Sequence, residues 1–252
     1  MELWEALAIL LAGVAAGGIN AIAGSGTLFT FPVLLALGYP PITATVSNSI
    51  GLAPGTLSGT IAYRRELAGQ KTRLIRFGTM SFFGAMTGAM LLIYLPSGVF
   101  ESVVPFMIGG ACVLIVLQPR ITKWARSRKP ASKNGGPWMP VGAYGAGTYG
   151  GYFAAAQGII LISLLGATLD DDLQRLNALK NALATIANST AAVFYIVLAS
   201  PAWPVVGLIA VGTIVGGYLG ANFGRKLSPA ALRVVLVVVG LTAAVQLVMG
   251  RV

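Results

Sequence analysis

Charged side chains are confined to a few short stretches of this chain. Between them lie ten apolar segments, at roughly 5–22, 27–38, 41–63, 77–95, 98–118, 138–157, 158–168, 174–198, 202–223 and 230–249. About 20 apolar residues in a helix cross the hydrocarbon core of a bilayer, and most of these runs are that long. Only 10% of the 252 residues are charged and 56% are hydrophobic, with a mean hydropathy of +0.81. A soluble domain carries about a quarter charged residues, so there is too little charge here to cover a surface facing water. Backbone in lipid must satisfy its own hydrogen bonds, and runs of this length do so as helices. The expectation is an all-α, multi-pass protein of the cell (inner) membrane. Only Glu2 and Glu5 precede the first run, with no basic stretch, so it is expected to be a membrane segment rather than a cleaved leader.

Composition also removes most enzyme classes. There is no histidine, the commonest zinc and haem ligand and the usual proton shuttle, and Cys112 is the one cysteine. No metal site and no cofactor are expected. The acidic residues are Glu2, Glu5, Glu66, Glu101 and Asp170-Asp171-Asp172, all at or near segment ends. No carboxylate is therefore placed at mid-membrane for a proton relay or a cation site. The net charge of +10 reads as the cytoplasmic excess of Lys and Arg in a membrane protein, not as a nucleic-acid surface.

The chain is internally duplicated. Gly17-Gly18 matches Gly150-Gly151 and Asn48 matches Asn181, both at a shift of 133, since 150 − 17 and 181 − 48 are equal. Gly84-x-x-x-Gly88 matches Gly216-x-x-x-Gly220 after a one-residue slip. This gives a first repeat at 1–118, a basic linker at 119–136 and a second repeat at 137–252, of about five segments each. With five crossings per half the second half is inverted. The basic clusters then share one face: Arg64, Arg65, Lys71, Arg73 and Arg76; Arg120, Lys123, Arg126, Arg128, Lys129 and Lys133; Arg175; Arg225, Lys226 and Arg233. By the positive-inside bias that face is cytoplasmic and both termini lie outside.

Segments 27–38 and 158–168 are too short to cross alone, and each follows a break, Gly24-Ser25-Gly26 and Gln157-Gly158. Short, interrupted segments at corresponding places in two halves point to a transporter's binding site. A helix starting at Thr27 could hold an anion on its N-terminal N–H groups, with Asn20, Gly24, Ser25 and Gly26 nearby. The plainer reading is a hinge with Ser25 as cap. Segment 41–63 carries Pro54 between Gly51 and Gly55, which predicts a kink one turn beyond Ser47 and Asn48. Segment 174–198 places Asn177, Lys180, Asn181, Thr185 and Asn188 on one face, expected to turn away from lipid. Lys180 could answer an anion's charge, or snorkel to the surface near Arg175. Gln157 and Gly158 qualify by their place in the repeat, with Tyr149 and Tyr152 close by.

These residues resemble a known family. Gly17-Gly18-Ile-Asn-Ala-Ile-Ala-Gly24-Ser25-Gly26-Thr27-Leu, Phe31-Pro32-Val-Leu-Leu-Ala-Leu-Gly38, Ala44-Thr-Val-Ser-Asn-Ser49, Pro54-Gly55 and Tyr63-Arg64-Arg65-Glu66-Leu67 are similar to the first half of the TauE/SafE sulfite exporters. Gly150-Gly151-Tyr-Phe and Asn177-Ala-Leu-Lys180-Asn181 resemble that family's second signature. The resemblance implies transport of a sulfur-containing anion such as sulfite, a sulfonate or a related organosulfur acid, in either direction. Gly24-Ser25-Gly26 stands where relatives often have three glycines, which adds a hydroxyl to the site.

The expected function is thus a secondary transporter of a small anion working by alternating access, with a channel-like pore as the alternative. The expected partners are that anion and membrane lipid, not nucleic acid; a homodimer is left open.

Overall fold

The computed structural model describes residues 1–127, 135–223 and 229–249, and these form ten helices with no strand among the described residues. In chain order they are α1 (Leu3–Ala23), α2 (Thr27–Ala36), α3 (Pro41–Ala62), α4 (Lys71–Tyr94), α5 (Ser97–Ser127), α6 (Trp138–Tyr152), α7 (Gln157–Thr168), α8 (Leu173–Leu198), α9 (Trp203–Phe223) and α10 (Pro229–Val248). Each apolar segment of the sequence becomes one helix. Five of them, α1, α4, α5, α8 and α9, contain stretches long and apolar enough to cross a membrane. α3 has 22 residues, but its Thr, Ser, Asn and Gly residues lower its hydropathy, and it is buried through its middle. Leucine, valine and phenylalanine side chains remain exposed along the outer helices, and Trp4, Tyr94, Trp138 and Trp203 stand exposed at helix ends. Apolar flanks with aromatic ends suit a bilayer and its interfaces.

Three boundaries differ from expectation. α4 begins at Lys71 rather than near 77, so Lys71, Arg73 and Arg76 stand on its first turns and not in a loop. α5 runs on to Ser127, so the first part of the basic stretch 119–136 is helical; Arg128, Lys129 and Lys133, like Arg225, Lys226 and Arg251, lie outside the described residues. The second break lies at 153–156, and Gln157 and Gly158 are the first residues of α7 rather than the break itself. Ala154 and Ala156 turn the chain there with φ of 64° and 60°. Alanine is the strongest helix former, so its sequence carries no stop signal.

Small residues fix which helices pair. α1 lies along α9 in parallel: Gly13 faces Ile209 and Gly212, and Gly17 faces Thr213 and Gly217. α4 lies along α6 in the same sense, Gly84 facing Tyr144 and Thr148, and Gly88 facing Thr148 and Tyr152. A Cβ at Gly17, Gly84, Gly88 or Gly216 would overlap the opposing backbone, so these pairs approach as only small residues allow. The two Gly-x-x-x-Gly motifs matched in sequence therefore do matching work, Gly84 and Gly88 against α6, Gly216 and Gly220 against α1.

The halves are interleaved. α9, from the second half, packs on α1 and α3; α4, from the first, packs on α6 and α8. Advancing every helix by five turns α1–α9 into α6–α4, α3–α9 into α8–α4, α2–α10 into α7–α5 and α1–α2 into α6–α7, each of which is also a packed pair. α3 and α8, which this operation exchanges, pack on each other and run antiparallel. The Ala202 N–H just beyond α8 donates to Ser47 Oγ near the start of α3, the Thr60 and Thr185 hydroxyls bond at 2.8 Å, and Tyr63 at the end of α3 packs with Ala178.

Candidate functional site

The two breaks meet. α1 ends at Gly24, whose left-handed backbone (φ 72°) turns the chain while its N–H is held by the Asn20 and Ile19 carbonyls. The Gly158 N–H, at the start of α7, donates to the Gly24 carbonyl at 3.0 Å. The two backbones approach so closely that a Cβ on either glycine would overlap the other. Ser25 follows, fully buried, with no partner for its hydroxyl among the described residues. Gly26 precedes α2, and a Cβ there would press on the Ala16 carbonyl.

Beyond the first break the polar groups satisfy one another. Asn48 on α3 donates from Nδ2 to Thr27 Oγ1 at 3.3 Å, and Thr30 donates to Asn48 Oδ1. Asn48 is wholly buried and ties α2 to α3. Ser47 accepts the Ala202 N–H at 2.9 Å. Gln157 is likewise used internally, its amide lying over Gly150 and donating to the Ala146 carbonyl at 3.2 Å.

On α8 two neighbouring polar groups are less well matched. Lys180 is 1% exposed, and its Nζ has the Ala21 carbonyl at 3.5 Å as its hydrogen-bond acceptor, at the C-terminal end of α1. Among the described residues no carboxylate pairs with it; the ion pairs there are Met1–Glu5, Arg73–Asp171 and Arg175–Asp171. Lys180 therefore does not snorkel. The negative end of the α1 dipole offsets part of its charge. Beside it, Asn181 Nδ2 is buried without a partner among the described residues. Lys180 and Asn181 line a cavity of about 10 Å³ with Asn20, Ala21, Gly24, Gly55, Thr56, Gly59 and Ala184. That is space for roughly one water molecule, so the site is closed.

The structure thus gathers Asn20, Gly24, Lys180 and Asn181 around one cavity, with Gly158 against Gly24. Ser47, Asn48 and Gln157 are occupied elsewhere, Ser25, Gly26 and Thr27 belong to the break and the start of α2, and Asn177 is half-buried outside the cavity lining. Gly55, Thr56 and Gly59 were not foreseen as lining. They follow Pro54 by one, two and five positions, so the kink signal lay beside them.

At the cytoplasmic end expected from the charges, Asp171 between α7 and α8 accepts from Arg73 of α4 at 2.5 Å and from Arg175 of α8 at 2.8 Å. Burial alone would raise the Asp171 carboxyl. Hydrogen bonds from Arg73 and the Asp172 N–H, with the charges of Arg175 and Arg73, outweigh it and hold the group below its ordinary range.

A family model described as "Sulfite exporter TauE/SafE" matches residues 9–247. The chain is 29% identical over 220 residues to the "Probable membrane transporter protein YfcA" of Escherichia coli K12, covering 84% of this chain and 76% of that protein. It is 24% identical over 245 residues to a "Probable membrane transporter protein" of Haemophilus influenzae, covering 97% and 95%. It is also 29% identical over 113 residues to the "Probable membrane transporter protein ORF9" of a Sinorhizobium species, covering 45% and 43%.

Proposed function

The chain belongs to the TauE/SafE sulfite exporter family, and on that premise we propose that it carries a small sulfur-containing anion across the cell membrane as a secondary transporter. The observation that carries this reading is the buried ammonium of Lys180, which has a carbonyl beside it and no acid. An uncompensated buried charge is costly. A monoanion brought into the cavity would neutralise it, with Asn181 Nδ2 as a second donor. Asn20 and Thr56 add polar groups to the wall, and the glycines let backbone come close.

The closed cavity favours a carrier that rearranges over a standing pore. The five-helix exchange of packed pairs, with α3 antiparallel to α8, supports two inverted halves, and the cation distribution along the chain favours both termini outside. The interleaving makes rocking of the sequence halves themselves unsuitable. More natural rigid units are α1–α3 with α9 and α10, and α4–α8. They touch chiefly at α3–α8 and α5–α10. Gly24, Gly55, Thr56 and Gly59 belong to the first unit and Lys180 and Asn181 to the second, so separating the units would open the cavity.

Counterflow of labelled sulfite, thiosulfate and short organosulfonates in proteoliposomes tests the reading. Saturable exchange of at least one anion, lost in Lys180→Met, is expected. Absence of exchange for all of them, in protein shown to be folded, sinks it.

A further inference from the structure

A second and much larger concavity lies on the outer side of α3. It has a volume of about 760 Å³ and runs between α3 and α9, walled by Pro54, Leu57 and Ile61 of α3 and by Ile214 and Tyr218 of α9. Clefts of ~300–1,000 Å³ are the size that holds a small organic molecule. Leu57, Ile61, Ile214 and Tyr218 are each about half exposed, so the groove opens where lipid would surround the protein. The small cavity takes Gly55, Thr56 and Gly59 from the other face of the same helix. The groove is therefore not its entrance.

One end of the groove is charged. α3 stops at Ala62, and Arg64 and Arg65 follow at the mouth, both exposed and paired with none of the seven acidic side chains. Glu66 lines the same mouth, so the local balance is one net positive charge. Apolar walls ending in two adjacent guanidiniums complement an acyl chain ending in a phosphate, which arginine binds through paired N–H donors.

We propose that this groove is a binding site for an anionic glycerophospholipid, with an acyl chain along Leu57, Ile61 and Ile214 and the phosphodiester at Arg64 and Arg65. The single net charge suits a phosphodiester monoanion. Ser58, whose hydroxyl donates to the Ile214 carbonyl at 3.2 Å, ties α3 to α9 along the groove.

Native mass spectrometry of the full chain, released from detergent with phosphatidylglycerol or phosphatidylcholine of matched chains, tests this. Retention of phosphatidylglycerol should exceed that of phosphatidylcholine roughly 30-fold, as two juxtamembrane cations imply. R64Q/R65Q should abolish the preference, and R120Q/K123Q, equally basic but outside the groove, should keep it. Ile61→Trp fills the groove without altering charge and should lower retention of both lipids, which decides the matter if the arginine variant does not fold. Equal retention of the two lipids by the unaltered protein overturns the proposal. So does a preference that survives R64Q/R65Q, or unaltered lipid retention in Ile61→Trp. Displacement of the lipid by equimolar glycerol 3-phosphate would also overturn it, because the mouth would then be reading a free phosphate and the groove nothing.

Discussion

At the first break the chain turns on Gly24, at a φ of 72°, and at the second on Ala154 and Ala156, at 64° and 60°. Glycine adopts that conformation freely, whereas alanine meets a cost of about 1–2 kcal/mol at each such position. The polar residues differ in the same way. Asn48 is closed off by Thr27 and Thr30, whereas a shift of 133 puts Ile160 and Ser163 in place of the two threonines, and Asn181, at the same shift from Asn48, has no partner for its Nδ2 among the described residues. Ser163 turns its hydroxyl back to the Ile159 carbonyl. One asparagine has become a clamp, and the other keeps a free donor beside Lys180.

The largest effect should separate the two breaks. Gly24→Val adds a side chain where Gly158 already touches and also strains the backbone, so a loss beyond about 3 kcal/mol is expected. Size-exclusion profiles in detergent should show no monodisperse protein. Ala154→Gly and Ala156→Gly should instead leave the melting temperature level or raise it by the equivalent of up to about 1 kcal/mol. Equal damage at both breaks would erase the distinction.

Next in size, Lys180→Met should lower transport by roughly 30-fold or more, corresponding to at least ~2 kcal/mol for removing one partner of a buried charge pair. Its melting temperature without substrate should hold or rise, since no acid is left behind. A fall in both would make Lys180 structural.

The asparagines should then part company. Asn48→Ala leaves two buried threonine hydroxyls without their partner and should cost about 1–3 kcal/mol in thermal or denaturant unfolding. Asn181→Ala removes an unpaired donor, so stability should stay within about 0.5 kcal/mol while transport falls roughly tenfold. The pattern reversed would mean that the clamp is the binding group.

The smallest effect concerns the α7–α8 turn, which Asp171 pins to α4, whereas Gly38 stands at the corresponding place in the first half. Its carboxyl titrates below the ordinary range, so its contribution is present above that range and lost as pH falls through the lowered value. Asp171→Asn should lower the melting temperature slightly at pH 7, and the gap should close on strong acidification.

Much of this was written plainly in the chain. The ten helices were legible because lipid forbids scattered charge, but the matched Gly-x-x-x-Gly motifs did not say which helices they would join. The turn at Ala154 and Ala156 was not legible, since its conformation is imposed by the meeting with the first break and not by its own residues. Nor could a list of polar positions say which of them were already spent. The 133-residue shift held the clue, because it sets Ile160 against Thr27, but it needed α2 seated on α3 to acquire meaning.

The interleaving of α4 and α9 also bears on how the molecule is made. Synthesis runs from the N-terminus, so α1, with Gly13 and Gly17, is made long before the helix those glycines face. The helix that covers both begins at Trp203, after most of the chain has been translated. A fragment ending before α9 should be cleared by membrane proteases, and co-expression of the missing piece should rescue it.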